Sequence, residues 1–402
     1  VDSLSSSRPL RVLDITDFYS DTLSGGVKTY LHAKAAHFAE MGIEHSIVVP
    51  GAEDGVASLG ASRMHRVKGP ILPLSPAYRL LLSSSRVAEI LDREAPDVVE
   101  LGSPFVVPHL VRKALRDHRV PLVGFYHADL VRTFAEPYVP HRAAAPLRVA
   151  ARTVARRLIH SVYDPLDVTV ASSVSVADEL RSLGVRRVRH ISLGVDLENF
   201  RPDPEGGRLP PVAKAGVPVG VPVGLYVGRF CAEKRLDVLL GGHARMEPGR
   251  RPHLVLLGGG PMRAALEKQV ADRRDVTMLP SEKDRGRLAR LYAGADFYLA
   301  PGPGETFGLS IGEGLACGLP VVTVARGAGP DRVAGSDAFE AYRHGDPADC
   351  ARALAAMQAR LTTGAPAMRR RARAHAEATL DWRITFESLV DLYRELAGPG
   401  VR

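Results

Sequence analysis

Short apolar runs rich in β-branched residues alternate along the chain with stretches whose apolar positions recur every three or four residues. Leu10–Ile15 is a predicted strand, and Gly26–Met41 is a predicted helix with apolar residues at Tyr30, Leu31 and Phe38. The pattern continues through Ser46–Val49, Val87–Leu91, Val98–Leu101, Val107–Leu115, Leu122–Tyr126, Val168–Ser172, Val174–Leu183 and Arg189–Ile191. Strands that alternate with helices indicate parallel sheets covered by helices on both faces.

The alternation stops once and then resumes. Arg201–Val223 contains ten proline and glycine residues, which is typical of a linker or a long loop. Beyond it the predicted elements are Gly224–Val227, Leu236–Met246, Leu254–Leu257, Met262–Asp272, Val276–Leu279, Arg285–Gly294, Phe297–Ala300, Leu309–Cys317, Pro320–Val324 and Trp382–Leu396. We therefore predict an α/β protein of two Rossmann-like domains, residues 8–196 and 197–379. Residues 380–402 can join either domain, and ligands are expected near the carboxyl ends of the strands.

Composition narrows the class of protein. The chain has 402 residues, 45% hydrophobic and 24% charged, which is the balance of a globular protein with more than one core. No apolar run approaches the roughly 20 residues that span a bilayer, and the Ser-rich Val1–Arg8 segment lacks the apolar core of a signal peptide. Three widely spaced cysteines, Cys231, Cys317 and Cys350, form no zinc or disulfide pattern, so we expect a reduced, cytoplasmic protein.

The net charge of +8 has two explanations that the sequence alone leaves open. It suits an anionic partner such as a nucleotide, a phosphorylated acceptor or an acidic membrane face, and it also suits an arginine-rich genome. Aromatic residues make up 6% of the chain and are not interleaved with basic residues as in RNA-binding motifs. Nothing beyond net charge supports nucleic-acid binding, which we do not expect.

The strongest chemical feature follows the predicted strand Phe297–Ala300. A Pro/Gly turn carries Glu305, and a helix that carries Glu313 is predicted to begin near Phe307 or Gly308. The first N–H groups of a helix lack intrahelical partners and carry the positive end of its dipole. The glutamates are either a cap and a solvated surface residue, or two carboxylates that accept hydrogen bonds from sugar hydroxyls. Small residues would let a ligand approach this backbone; they are Gly304, Gly308, Gly312 and Gly314.

Other candidate residues also follow strands or open helices. Arg229 and Lys234 come after Gly224–Val227, where two cations can hold a diphosphate or can simply be surface bases. His127 comes after Leu122–Tyr126, where a histidine is either structural or part of a site. The pair Gly25–Gly26 opens a predicted helix and can either present bare N–H groups to an anion or form an ordinary tight turn.

Five segments together resemble the retaining GT-B glycosyltransferases of family 4. Glu305-Thr-Phe-Gly-Leu-Ser-Ile-Gly-Glu313 is similar to the family's E-x7-E motif. The other four, in matching order and spacing, are Ser24-Gly-Gly-Val27, Leu193-Gly-Val-Asp-Leu-Glu-Asn-Phe-Arg-Pro202, Gly228-Arg-Phe-Cys-Ala-Glu-Lys-Arg-Leu-Asp-Val-Leu-Leu240 and Leu257-Gly-Gly-Gly-Pro261. Two positions depart from the family pattern: Arg235 stands where glycine is usual, and Leu193 where asparagine is common.

The resemblance implies a GT-B fold whose two domains face each other across a cleft, the first binding acceptor and the second a sugar nucleotide. It assigns Arg229 and Lys234 to the diphosphate, Glu305 to the donor sugar and Glu313 to the ribose. Further donor contacts are implied for Gly25, Gly26, Gly228, Gly259, Phe307, Gly308 and Leu309. In this scheme His127 contacts the transferring sugar, and Asp129 and Tyr19 contact the acceptor. The implied mechanism is retaining transfer without an enzyme nucleophile.

The segment Asp17-Phe-Tyr-Ser, together with the later Gly-Gly-Val, is similar to actinobacterial GDP-mannose-dependent α-mannosyltransferases. The resemblance therefore implies GDP-mannose as donor, with a UDP-sugar of glucose or N-acetylglucosamine as the alternative and a lipid-linked glycan, glycolipid or small molecule as acceptor. A catalytically silent GT-B-like binding module is the alternative from another class. No cofactor and no metal are expected, because the chain lacks a strand-end D-x-D or a zinc spacing. The turn Gly258-Gly-Gly-Pro-Met-Arg263 lacks the third glycine of a dinucleotide fingerprint.

One more stretch concerns the surface of the first domain. Arg148, Arg152 and Arg156 recur at helical spacing beside Arg157, with apolar residues on the opposite side. Such a helix is either an ordinary solvated face or a surface that meets anionic lipid or a phosphorylated acceptor. The second alternative would place the protein peripherally at the inner face of the plasma membrane.

Overall fold

The computed structural model describes residues 8–21, 25–72, 77–115, 119–127, 145–203, 217 and 220–399. The chain divides into two compact units. Unit 1 comprises Val1–Ser192 with Trp382–Arg402, and unit 2 comprises Leu193–Asp381. The division predicted at 196/197 thus lies four residues from the observed one, and the C-terminal helix belongs to unit 1.

Unit 1 is built on a mostly parallel sheet. Its described strands are β1 (Arg11–Ile15), β2 (Glu44–Gly51), β3 (Gly55–Leu59), β4 (Ser62–Lys68), β5 (Val98–Leu101), β6 (Leu122–Phe125), β7 (Val168–Ala171) and β8 (Val188–His190). Their order in the sheet is β3-β4-β2-β1-β5-β6-β7-β8, and β3 alone among them runs antiparallel to its neighbour. The order of the strands reverses between β1 and β5: the chain passes from β1 to β2 on one side of β1, and the strands from β5 onward lie on its other side.

The described helices of unit 1 are α1 (Gly26–Glu40), α2 (Ser84–Glu94), α3 (Val107–Leu115), α4 (Ala145–Tyr163), α5 (Val174–Ser182) and α12 (Trp382–Ala397). The central strand β1 is buried on both faces, as expected for a parallel strand between two helical layers. Helix α12 packs against α1 and β5, so the last described helix completes the core begun by the first strand.

A buried polar network joins these elements of unit 1. The ammonium of Lys34 on α1 is fully buried and lies 2.7 Å from Asp14 Oδ1 and 3.2 Å from Glu100 Oε2. It also donates a hydrogen bond to the Tyr393 hydroxyl of α12 at 3.0 Å, and that hydroxyl in turn bonds Glu100. Asp14 is further paired with the His45 ring at 2.9 Å. Every carboxylate of the network therefore has a partner, as buried charges require.

Unit 2 holds a fully parallel sheet. Its described strands are β9 (Val223–Val227), β10 (His253–Leu257), β11 (Val276–Leu279), β12 (Phe297–Ala300), β13 (Val321–Val324) and β14 (Phe339–Tyr342), in the order β11-β10-β9-β12-β13-β14. Its described α-helices are α6 (Leu236–Arg245), α7 (Arg263–Val270), α8 (Arg285–Ala293), α9 (Leu309–Ala316), α10 (Ala328–Val333) and α11 (Pro347–Thr379). Helix α11 is interrupted at Gly364, whose φ and ψ of −147° and 19° are not helical. Here the chain order reverses between β9 and β12.

The prediction of two Rossmann-like α/β domains is confirmed. Most predicted strands and helices match the observed ones within one or two residues at each end. The antiparallel hairpin of β3 and β4 and the elements α10, β14 and α11 were not predicted. Among the described residues, no helix has both the length and the apolar character needed to cross a membrane.

Candidate functional site

The first candidate site lies where β9 and β12 end, at the point of unit 2 where the strand order reverses. Open α/β sheets bind ligands at such a point, outside the carboxyl ends of the strands. Lys234 reaches this edge from the 3-10 turn Ala232–Lys234 that follows β9, and Glu305 reaches it from the turn that follows β12. The structure thus brings together two residues that lie 71 positions apart in the sequence.

Lys234 and Glu305 form a close ion pair. The Lys234 ammonium donates to Glu305 Oε1 at 2.5 Å, and 17% and 22% of the two side chains is exposed. Burial alone would lower the pKa of Lys234, but the neighbouring Glu305 carboxylate outweighs it and the pKa is raised. A Cβ on Gly302 would lie 3.1 Å from the lysine stem, so this glycine lets the turn pack closely against Lys234. The site therefore holds a charged ammonium in a partly buried position at the strand ends.

Arg229 is exposed just beyond β9. Its loop is fastened to the neighbouring glycine turn by backbone hydrogen bonds from Gly228 to Leu257 and from Phe230 to Gly259, at 3.0 and 2.8 Å. A Cβ on Gly259 would meet only the Ser281 hydroxyl, at 3.8 Å, so the backbone of Gly259 stays open to a ligand. Two cations, Arg229 and Lys234, thus flank a glycine-rich edge that can accept a diphosphate.

The segment after Glu305 leads into α9, which begins at Leu309, the first residue of the predicted element Leu309–Cys317. Gly308 has a φ of +61°, a left-handed conformation that favours glycine. A buried arginine supports this segment: Arg332 on α10 donates from Nε to the Phe307 carbonyl and from Nη1 to the Leu193 carbonyl at 2.9 Å. The backbone N–H of Ala328 holds the Glu305 carbonyl at 3.2 Å. The first N–H groups of α9, from Leu309 onward, are therefore fixed in place beside Glu305.

Glu313 lies within α9 and is 7% exposed. Its two carboxylate oxygens accept hydrogen bonds from Arg285 Nη1 at 2.9 Å and from the Tyr292 hydroxyl at 3.1 Å. Burial raises the pKa of Glu313, and Arg285 offsets part of that rise. Arg285 also lies over the Phe200 ring, 4.6 Å from its centroid. The carboxylate is thus oriented by two partners that the sequence did not reveal.

One part of the glycine interpretation is wrong. A Cβ on Gly312 would lie 2.7 Å from Val195 Cγ1, and one on Gly314 would lie 3.1 Å from the Tyr298 side chain. These two glycines of α9 therefore allow close packing inside unit 2 rather than the approach of a ligand.

His127 is the main candidate residue of unit 1. It follows β6, is 6% exposed, stacks on Phe125 at a centroid distance of 4.4 Å and lies 5.4 Å from the Tyr30 ring. Burial lowers the pKa of His127 to about 3. A ring held neutral in this way can exchange hydrogen bonds with a sugar but does not act as an acid near pH 7.

The remaining predicted residues of unit 1 lie near the same sheet edge or beyond the described part. Tyr19 is 8% exposed, and the Lys28 ammonium lies 5.5 Å from its ring centroid. Gly25 caps α1 in an extended conformation, and a Cβ on it would meet nothing within 4 Å. Gly26 is the first residue of α1. Asp129 lies outside the described residues.

The basic helix is α4, whose side chains are described at 149, 153, 154 and 156–163. Arg156 and Arg157 are exposed there. Val149 and Val154 are 63% and 66% exposed, so these apolar side chains are not packed into the core of unit 1. The side chains of Arg148 and Arg152 lie outside the described set.

Among the described residues, no group of three or more His, Cys, Asp or Glu side chains is arranged to hold a metal ion. Of the residues that shape the site, sequence reasoning missed Arg285, Tyr292 and Arg332. Tyr292 sits on the apolar stripe of a predicted helix, and the arginines follow no motif, so no signal pointed to them.

Comparisons with known proteins agree with this geometry. A family model described as Glycosyltransferase Family 4 matches residues 24–199, and one described as Glycosyl transferases group 1 matches residues 221–360. A GDP-mannose-dependent alpha-(1-6)-phosphatidylinositol dimannoside mannosyltransferase of Mycobacterium tuberculosis is 31% identical, over 78% of this chain and 79% of its own length. A GDP-mannose-dependent alpha-mannosyltransferase of Corynebacterium glutamicum is 30% identical, over 78% of this chain and 72% of its own.

Solved structures share the fold. Sucrose-phosphate synthase from Thermosynechococcus elongatus superposes with a TM-score of 0.75 at 18% identity, over 96% of this chain and 99% of its own. The Anabaena protein HepE in complex with UDP gives a TM-score of 0.72 at 16% identity, over 95% and 99%. At these identities the likeness concerns the fold alone.

Proposed function

Since this chain belongs to glycosyltransferase family 4, we propose that it transfers mannose from GDP-mannose to a hydroxyl group of its acceptor with retention of the anomeric configuration. The choice of donor is supported by the two relatives at 31% and 30% identity, both named as GDP-mannose-dependent mannosyltransferases. The proposed acceptor is a lipid-linked glycan, a glycolipid or a small molecule. A glycolipid is supported by one relative, which is named as a phosphatidylinositol dimannoside mannosyltransferase.

The observation that carries the proposal is the Lys234–Glu305 pair at the strand ends of unit 2. In the proposed complex Lys234 and Arg229 bind the diphosphate, Glu305 accepts hydrogen bonds from the donor sugar, and Glu313 accepts them from the ribose. The ion pair keeps Lys234 protonated, so its charge is present before the donor binds. Positive charge fixed at this place stabilises the diphosphate as the glycosidic bond breaks.

The bond changes follow from these roles. The bond between the sugar's anomeric carbon and the β-phosphate oxygen breaks, and the acceptor oxygen bonds to the same carbon from the same face. The proton of the acceptor hydroxyl passes to the departing diphosphate. His127, being neutral, steadies the sugar by a hydrogen bond and takes no proton in this scheme. Unit 1 supplies the acceptor-binding domain, and unit 2 the nucleotide-sugar-binding domain.

We propose further that no metal ion is required, because Arg229 and Lys234 supply the positive charge at the diphosphate. Transfer should then proceed at an unchanged rate when a chelator such as EDTA is present. Activity that EDTA abolishes and that Mg²⁺ or Mn²⁺ restores would contradict this part of the proposal.

A peripheral membrane contact through α4 is also proposed, with an anionic lipid bilayer as the partner. The exposed Val149 and Val154 beside the exposed Arg156 and Arg157 give the helix both apolar and cationic groups at its surface. The protein should sediment with vesicles that contain phosphatidylglycerol and not with pure phosphatidylcholine. Replacing Arg156 and Arg157 with glutamine should reduce the bound fraction, and equal sedimentation with both lipids would refute this contact.

The donor is tested by calorimetry with GDP and UDP, followed by transfer assays over a panel of sugar nucleotides. We expect GDP to bind and UDP to bind much more weakly. Lys234→Ala and Glu305→Ala should each lower the transfer rate roughly 10²- to 10³-fold. Lys268→Ala, which removes an exposed lysine from α7, is the matched control and should leave the rate unchanged.

Each alternative has its own outcome. Preferential binding of UDP would favour a UDP-glucose or UDP-N-acetylglucosamine donor on the same fold. Nucleotide binding without hydrolysis or transfer of any donor would favour a silent binding module. A protein that binds no sugar nucleotide would refute the proposal.

A further inference from the structure

Two polar side chains of unit 1 follow the two strands between which the strand order reverses. Asp17 lies two residues after β1, and Ser103 lies two residues after β5. The strands pair in parallel with Ile15 opposite Leu101, so Asp17 and Ser103 come at matching positions beyond the paired ends. This is the position in unit 1 at which an open α/β sheet binds its ligand.

Both side chains are buried, and the Ser103 hydroxyl lies near enough to the Asp17 carboxylate to affect its pKa. Asp17 is 4% exposed and Ser103 is 1% exposed. Neither carboxylate oxygen of Asp17 nor the Ser103 hydroxyl oxygen makes a hydrogen bond of normal geometry there. Burial raises the pKa of Asp17 to about 6, and the nearby Ser103 hydroxyl offsets only part of that rise. The protein therefore holds a carboxyl group inside unit 1 whose oxygens make no hydrogen bond of normal geometry with the described residues.

Asp14, three residues earlier on β1, shows that this arrangement is not a general property of the strand. It is 2% exposed, yet its oxygens are held by Lys34 at 2.7 Å and by His45 at 2.9 Å. Buried polar groups in folded proteins are nearly always paired, and exceptions are found at functional sites. The two carboxylate oxygens of Asp17, neither of which accepts a hydrogen bond of normal geometry, point to a missing donor of hydrogen bonds.

The surroundings indicate what kind of ligand supplies it. A Cβ on Gly102 would lie 3.1 Å from Thr16 and 3.4 Å from His127 Cδ2, so the backbone around Asp17 and Ser103 adjoins the His127 ring. Beside the pair, the half-buried rings of Phe18 and Phe105 meet edge to face with centroids 6.0 Å apart. A few convergent polar groups next to apolar ring surface are the lining of a small-molecule site. A carboxylate and a hydroxyl group beside aromatic rings suit a ligand whose ring carries several hydroxyl groups, such as a sugar or a cyclic polyol.

We propose that Asp17 and Ser103 form the acceptor subsite, in which the Asp17 carboxylate accepts hydrogen bonds from adjacent hydroxyl groups of a sugar or cyclic polyol. This assignment rests on the proposed glycosyl transfer. The ligand enters past Phe18 and Phe105, and its hydroxyls satisfy the carboxylate. The reacting hydroxyl is then held beside the His127 ring.

The test measures binding of two probes, methyl α-D-mannopyranoside and myo-inositol, by calorimetry with and without GDP. Asp17→Asn keeps the shape of the side chain but replaces one acceptor oxygen with a donor. It should weaken the binding of at least one probe roughly 10- to 100-fold, since a hydrogen bond to a charged group is lost. The affinity for GDP should not change. Asp92→Asn, which removes an exposed carboxylate from α2, is the matched control and should bind both probes like the parent.

A second measurement separates a ligand site from a structural role. Chemical unfolding near pH 8 should show Asp17→Asn to be more stable than the parent, because the parent buries an unpaired charge, whereas Asp14→Asn should be less stable. Two results would overturn the assignment: neither probe binds the parent, or Asp17→Asn binds both as well as the parent does. A loss of stability in Asp17→Asn would overturn it as well. Failure of the parent to bind GDP or UDP would instead refute the proposed transfer, because probe binding is also measured without nucleotide.

Discussion

Replacing Lys34 with methionine removes the cation at the centre of the buried network of unit 1 and keeps a side chain of similar length. Lys34 lies 2.7 Å from Asp14, 3.2 Å from Glu100 and 3.0 Å from the Tyr393 hydroxyl. Lys34→Met would leave the two carboxylates, each 2% exposed, without their ammonium partner. Breaking a buried ion pair by removing one member costs about 3–5 kcal/mol of unfolding free energy, because the remaining charge stays desolvated.

The loss should depend on pH with a definite sign. Burial alone would raise the pKa of Asp14, but Lys34 and His45 outweigh it and the folded pKa is lowered. A lowered carboxyl pKa stabilises the fold above the pKa of the unfolded chain and stops doing so as the pH falls. Lys34→Met lacks this contribution, and its carboxyls take up protons more readily. The difference from the parent should therefore be largest near neutral pH and should shrink toward about pH 4.

Trp382 provides an assay that is specific for unit 1. It is the only tryptophan of the chain, and it stacks on Phe386 of α12 at a centroid distance of 5.2 Å. Guanidinium unfolding followed by its fluorescence at about pH 7.5 and about pH 5 gives the free energy of unfolding of this unit. Lys113→Met, an exposed site on α3, is the control for the loss of one surface charge. A destabilisation of less than about 1 kcal/mol at the higher pH would refute the reasoning.

Three further predictions concern backbone conformation, packing and the histidine. Arg235 and Ala95 adopt left-handed conformations with φ of 49° and 42°, so Arg235→Gly and Ala95→Gly should each stabilise the protein by roughly 0.5–1 kcal/mol in chemical unfolding; a loss of stability would contradict the strain argument. Gly312→Ala should destabilise unit 2 by about 1–3 kcal/mol, because the new Cβ would lie 2.7 Å from Val195 Cγ1; an unchanged unfolding midpoint would show that the contact relaxes. Burial lowers the pKa of His127 to about 3. Below about pH 6.5 the unfolded chain therefore binds a proton at this ring more readily than the folded chain does, and the free energy of unfolding falls as the pH falls. The pH profile of transfer should then show no inflection near 6.5 from His127, and one that disappears in His127→Gln would count against a neutral ring.

The strands that the sequence predicted are those whose side chains are buried in a core. Val98–Leu101 and Phe297–Ala300 are buried along their length and were located without error. Strand β3 is exposed at nearly every position and is held by pairing with β4, so its side chains carried no pattern of burial. Helix α11 is rich in alanine and arginine and is interrupted at Gly364, which obscured its periodicity.

The departure at Arg235 is explained by the structure. The family pattern has glycine at this position, and the residue here adopts a left-handed conformation that glycine enters without strain. The Arg235 guanidinium bonds the Asp237 carboxylate at 2.9 and 3.0 Å, which offsets part of that strain. A single sequence shows that glycine is absent but does not show the backbone angle that makes it usual.

The site was predictable where it depends on strand ends and not where it depends on tertiary partners. Lys234 and Glu305 follow strands, and their meeting is a consequence of the parallel sheet. Asp17 and Ser103 follow strands too, and the same rule applied to β1 and β5 would have found them. The support of Phe307 by Arg332 depends on the packing of α10 and leaves no trace in the local sequence.

The contact between Lys34 and Tyr393 joins residues 359 positions apart, and this sets the order in which a nascent chain can fold. Unit 2 is continuous from Leu193 to Asp381, so all of it leaves the ribosome before the helix that completes unit 1. Until that helix arrives, the groove between α1 and β5 lacks its cover, and Glu100 lacks one of its hydroxyl partners. Unit 1 therefore begins its synthesis before unit 2 but completes its core only after all of unit 2 has been made. A stalled chain that ends before Trp382 would present an incomplete core to chaperones and proteases.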